Sequence, residues 1–147
     1  MGSERGLWQT MRRNVLALEE ATVLFQRHED TTDLGIPDVS FVCVLDLVHP
    51  SSGWIELKYR EEWPKRSSTV VSCDHFTDEQ RDWLRDRGEL GACCSVVWQI
   101  ENDYHVIPWW QARLIGQVVR EDMESISEYT SQGRPDWGLL WRAVLNC

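Results

Sequence analysis

Gly35-Ile36-Pro37-Asp38-Val39-Ser40-Phe41-Val42-Cys43-Val44-Leu45-Asp46-Leu47-Val48-His49-Pro50-Ser51-Ser52-Gly53-Trp54-Ile55-Glu56-Leu57-Lys58 is the stretch on which the reading of the chain turns. Val39 to Val48 is rich in Val, Phe and Leu, the bias of a largely buried pleated surface, and predicts a strand. His49 to Gly53 predicts a turn, since Pro presets φ and Gly supplies positive φ. Trp54 to Tyr59 resumes an extended pattern, so the pair reads as a β-hairpin. Side chains alternate along a strand, which puts Trp54, Glu56 and Lys58 on one face and Ile55, Leu57 and Tyr59 on the other. An antiparallel return brings Asp38 level with the end of the second strand.

Two carboxylates and an ammonium at one sheet edge suit metal-assisted phosphodiester chemistry. A hard cation such as Mg²⁺ is held by one or two carboxylates with waters and substrate phosphate, and it activates water and neutralises developing charge. Lys58 then orients the water or stabilises the transition state. The plainer alternative makes Asp38 a turn residue after Pro37, and Glu56 with Lys58 a solvated pair worth under about 1 kcal/mol. The apolar flanks weigh against it, because charges on a central strand need a partner or a purpose.

Working outward, residues 4–20 place Leu7, Trp8, Met11, Val15, Leu16 and Leu18 near helical spacing, with Ser3 as N-cap. Ala21 to His28 predicts a strand, and Glu29 to Leu34 a polar loop. Arg27 and His28, at that strand's end, are candidates to touch a phosphate; a structural role is the alternative for His28. Arg60 to His75 is polar and reads as a loop or lid. Thr77-Asp78-Glu79-Gln80 is a capping box opening a helix to about Arg87 that ends at Gly88. Gly91 to Ile100 predicts a strand, Glu101-Asn102-Asp103 a turn, and Tyr104 to Ile107 a short edge strand. A strand–helix–strand crossover makes the sheet mixed. Pro108 opens a further helix to about Val119. Its Trp109 and Trp110 suit core or dimer packing, with base stacking as the alternative. Acidic, Ser-rich residues 120–132 lead to a last helix, Asp136 to Leu145.

The length of 147 residues, the 42% hydrophobic share and nine Trp describe one globular domain with a real core. No apolar run reaches membrane length and the N-terminus lacks a signal pattern, so the cytosol is expected, that of a host if the chain is viral. Five cysteines without a Cys-x-x-Cys pair predict reduced thiols, with neither a zinc site nor a disulfide framework. The net charge of −9 counts against nucleic acid. Its surplus falls in residues 21–40, 61–80 and 121–147, while basic residues gather at Lys58, Arg60, Lys65 and Arg66 and at Arg81, Arg85 and Arg87.

Pro37-Asp38 followed by Glu56-Leu57-Lys58 resembles the signature of the PD-(D/E)XK nucleases, and the surrounding Gly-Ile-Pro-Asp-Val and Gly-Trp-Ile-Glu-Leu-Lys resemble most the branch of VRR-NUC domains and archaeal-type Holliday junction resolvases. The resemblance covers residues 4–107 and leaves 108–147 as a C-terminal helical extension. It implies a restriction-endonuclease-like α/β fold, a mixed central sheet flanked by helices. It implies a Mg²⁺- or Mn²⁺-dependent endonuclease cutting DNA, branched or duplex, to 5′-phosphate and 3′-hydroxyl ends, working as a homodimer. The metal ligands implied are Asp38, Glu56 and the Leu57 carbonyl. Glu4 completes the set, because Glu4-Arg5-Gly6-Leu7 resembles the start of the resolvase first helix; Glu29, and behind it Glu19 and Glu20, are rivals. Gln80 corresponds to a Gln that lies beside the catalytic Lys, and its capping role is compatible with that. The alternative is a nuclease fold without catalysis that binds DNA or a basic protein.

Overall fold

The computed structural model describes residues 2–29, 35–46 and 50–147. Its first helix, α1, spans Glu4–Leu16 and is capped by the Ser3 hydroxyl, which accepts from the Gly6 N–H at 2.9 Å. The strands β1 (Ala21–Arg27), β2 (Val39–Leu45) and β3 (Ser51–Arg60) follow, then helix α2 (Asp78–Glu89) and strands β4 (Cys93–Ile100), β5 (Asp103–Pro108) and β6 (Tyr129–Ser131), with helix α3 (Trp137–Val144) last. The six strands lie in sequence order in one sheet. Every neighbouring pair is antiparallel except β3 with β4, which α2 joins as a parallel crossover. The expected mixed sheet between helices is therefore present.

Alternation splits the core in two. Ile55 and Leu57 of β3 join Leu7, Met11, Leu140 and Trp141 beneath α1 and α3. Val96, Trp98 and Ile107 join Phe76, Leu84 and Ile115 beneath α2 and the segment after β5. Gly88 continues α2 instead of ending it, because its missing Cβ admits the Trp109 ring; Gly91, at φ +102, turns the chain instead. Gly53 is likewise no turn residue. It lies within β3 opposite Cys93, whose backbone leaves no space for a side chain. The expected turn thus begins the strand by Ser51, while Leu47, Val48 and His49 lie outside the described residues. Most of the expected loop before Gly35 lies outside them too.

The C-terminal third departs most from expectation. The helix foreseen from Pro108 to Val119 is a short 3₁₀ turn, Trp109–Leu114, after which Gly116 takes φ +85 and Val119 bridges to Val70. The edge strand foreseen at Tyr104–Ile107 is interior, because β6 pairs along its outer side. The tail is part of the fold: Leu140 and Trp141 are wholly buried, and the Trp141 indole N–H donates to Cys43 Sγ at 3.3 Å. Reduced cysteines were expected throughout, yet Cys93 and Cys147 form a disulfide across a Cα–Cα distance of 4.8 Å, tying the C-terminus to β4. Cys43, Cys73 and Cys94 are free thiols. No helix is long and apolar enough to cross a membrane among the described residues.

Candidate active site

β3 runs past the start of β2: the last paired residues are Val39 with Ile55, and Glu56 to Arg60 have no partner on that side. A strand left unpaired exposes N–H and C=O groups that must find partners. Asp38, one residue before β2, supplies the first: its Oδ2 accepts the Leu57 N–H at 2.7 Å. A residue's N–H and C=O leave a strand on the same edge, so the Leu57 carbonyl faces the same notch. Gly35, at φ +88, packs on the backbone of Glu79, which docks the Pro37-Asp38 loop against the start of α2.

Glu56 and Lys58 are two residues apart and so lie on one face, with their ends 3.5 Å from each other; they are 2% and 3% exposed. Lys58 Nζ donates to the His75 carbonyl at 3.0 Å. His75 itself adopts φ 62, a left-handed conformation that His tolerates better than most residues. Gln80 serves two ends at once. Its side-chain oxygen accepts the Thr77 N–H at 3.0 Å to close the capping box, and its Nε2 donates to Glu56 Oε1 at 3.0 Å. The cap and the site contact are one arrangement. Glu56 Oε2 has no hydrogen-bond partner although buried.

Burial raises the Glu56 carboxyl to about 9, helped by the nearby Asp38 charge and opposed by Lys58. Desolvation outweighs the ammonium here, so at neutral pH the 3.5 Å contact is between a neutral carboxyl and Lys58. Glu4 is also raised, first by burial, then pulled down by Lys58 and pushed up by Asp38. Arg27 Nη1 stands 3.9 Å from Asp38 Oδ1, buried and without a hydrogen bond. Beside it Arg5, Trp8, Gln9, Arg27 and Glu29 line a cavity of about 450 Å³.

Asp38, Glu56, Leu57, Lys58 and Gln80 therefore meet at the notch, whereas Glu4 forms no metal-holding group of three with Asp38 and Glu56. Glu29 lies in the Arg27 cavity, and Glu19 and Glu20 lie beyond α1, which ends at Leu16 short of the residues 4–20 expected, with the Glu20 carbonyl accepting from the Asp46 N–H. His28 is structural: Nε2 meets Ser40 Oγ at 2.8 Å and the ring lies over Trp54, 5.0 Å between centroids. The Lys58 clamp at His75 had no sequence signal, since a backbone carbonyl can come from any residue. Cys73, whose thiol burial pushes up to about 12, was equally silent.

Among the described residues no three His, Cys, Asp or Glu side chains form a group able to hold a metal ion. A cation here would rest on Asp38, Glu56 and the Leu57 carbonyl, within the one-or-two-carboxylate pattern that Mg²⁺ uses alongside waters. The unpartnered Glu56 Oε2 fits that role. Compared with models of known protein families and with curated protein sequences, the chain matches none.

Proposed function

We propose that the chain is a Mg²⁺- or Mn²⁺-dependent endonuclease of the PD-(D/E)XK type, acting on branched DNA such as a Holliday junction and working as a homodimer. The observation that carries this reading is the meeting of Asp38, Glu56 and Lys58 in the notch where β3 outruns β2, with a buried Glu56 oxygen left unpaired.

A bound divalent cation supplies Lewis acidity, acidifying water and offsetting charge on the phosphoryl group. Asp38, fixed by the Leu57 N–H, would hold such an ion together with Glu56 and the Leu57 carbonyl. Gln80 donates to Glu56 Oε1, the oxygen that also faces Lys58, and so helps to position the carboxyl. Lys58, steadied by the His75 carbonyl, orients the attacking water for in-line displacement of the 3′-oxygen and stabilises the charge that develops. Arg27 and Arg5 give the strand a cationic approach on a chain whose net charge is −9. That charge favours one other reading, a fold that binds a basic protein without catalysis.

Cleavage of junction, flap, linear duplex and single-stranded DNA with Mg²⁺ or Mn²⁺ tests this. Wild type is expected to cut branched DNA, with Glu56→Ala and Lys58→Ala each slower by at least ~10²-fold. No cutting of any substrate, or variants as active as wild type, leaves the binding module as the better account.

A further inference from the structure

On the α1/α3 face, away from Glu56 and Lys58, a cavity of about 470 Å³ opens beside the β4–β5 turn. Arg13 and Asn14 of α1, Gln99 and Asn102 at the turn, Tyr104 of β5 and Arg134 line it over a floor that includes Trp137. No carboxylate does. Five of the thirteen arginines of this acidic chain, Arg27, Arg81, Arg85, Arg120 and Arg142, have an Asp oxygen within 4.0 Å. Arg13 and Arg134 have neither an ion pair nor a hydrogen bond among the described residues.

The acids next in sequence to lining residues Asn102, Tyr104 and Pro135 have other partners. Glu101 takes the Trp63 backbone N–H at 2.9 Å; Asp103 takes the Trp63 indole N–H at 2.8 Å and the Gly133 N–H at 2.9 Å; Asp136 caps α3 through the Leu139 N–H at 3.1 Å. The amide nitrogens of Asn14 and Gln99 are held by the Thr10 and Glu101 carbonyls, both at 2.8 Å, which fixes two walls of the cavity. What remains is two planar guanidinium forks, the Asn102 amide and the Tyr104 hydroxyl, donors with no anionic acceptor.

We infer that this pocket binds a phosphoryl group through Arg13 and Arg134. Guanidinium forks match the oxygens of a phosphate in paired hydrogen bonds, and an anion relieves two like charges facing one cavity. The inference does not rest on the nuclease reading, since the pocket shares no residue with that site. The phosphoryl group belongs either to a nucleic-acid backbone or to a free phosphorylated small molecule.

Calorimetric titration of the whole chain in metal-free, low-salt buffer with inorganic phosphate, and separately with a duplex of about 20 base pairs, tests it. Arg13→Met/Arg134→Met is expected to weaken phosphate binding by at least ~10-fold, while Arg113→Met/Arg142→Met, an equal charge change elsewhere, leaves it intact. Arg134→Lys, which keeps the charge and loses the fork, falls between. Both target arginines are exposed, so melting curves should stay close to wild type. A fall of about two in the salt slope of duplex binding assigns the pocket to nucleic acid, and an unchanged slope assigns it to a free phosphorylated molecule. The inference is overturned if wild type binds no phosphate, or if the Arg13/Arg134 variant binds it as well as wild type.

Discussion

The two faces of the sheet are sealed by different means. Against α1 and α3 the buried side chains are almost wholly hydrocarbon and aromatic, and Ser95, paired across the strands with Ile55 and two residues from Val97, is the uncharged exception. Against α2 and the segment after β5, the same sheet buries Glu56, Lys58 and His105. These ionisable groups are not all paired. Burial brings His105 down to about 4 and pushes Glu56 up to about 9, so both sit neutral at pH 7, His105 with neither ring nitrogen bonded. The difference teaches where the chain accepts instability. Both faces bury an apolar cluster, and the second buries Glu56, Lys58 and His105 with it.

Breaking the first face should have the larger effect. Trp141 is fully buried, edge-on to Phe25 at 5.5 Å and Phe41 at 5.0 Å between centroids. Trp141→Ala is expected to lower unfolding free energy by about 3–5 kcal/mol in urea titration, with cleavage per folded molecule retained. Lost cleavage in a folded, undiminished protein would dissolve the distinction between the faces.

The second face predicts a smaller change of opposite sign. The folded Glu56 carboxyl titrates at about 9 against an ordinary 4.5. Between those pH values the folded chain keeps a proton that the unfolded chain has lost, so stability falls as pH rises through the window. Glu56→Gln keeps the shape of the neutral form and should melt higher in metal-free buffer, by roughly 3 kcal/mol at pH 7, with the gap closing toward pH 5. Coincident melting from pH 5 to 9 would contradict the burial argument.

What could be read in advance follows from how local each signal is. Asp38, Glu56 and Lys58 were legible because strand alternation and an antiparallel return are fixed by geometry, and Gln80 because a capping box is a four-residue pattern. Gly53 and Gly88 were misread as punctuation. Their reason is a neighbour distant in sequence, the Cys93 backbone for one and the Trp109 ring for the other. Residues 108–119 carry helical spacing, yet the chain bends after Leu114 because its apolar side chains dock onto α2 and β4 and Val119 reaches Val70. The Cys93–Cys147 bond was invisible for the same reason, closing over 54 residues. The proposal of a nuclease activity rests on the Pro37-Asp38 and Glu56-Leu57-Lys58 motif and on the notch where these residues meet.

The most direct measurement is a calorimetric titration of Mn²⁺ into the metal-free protein near pH 7, repeated in buffers of different ionisation enthalpy. Because Glu56 is protonated before the ion arrives, the account predicts saturable binding that releases about one proton per ion, with binding lost in Asp38→Asn and proton release lost in Glu56→Gln. An absence of binding, or binding that survives Asp38→Asn and releases no proton, would contradict it.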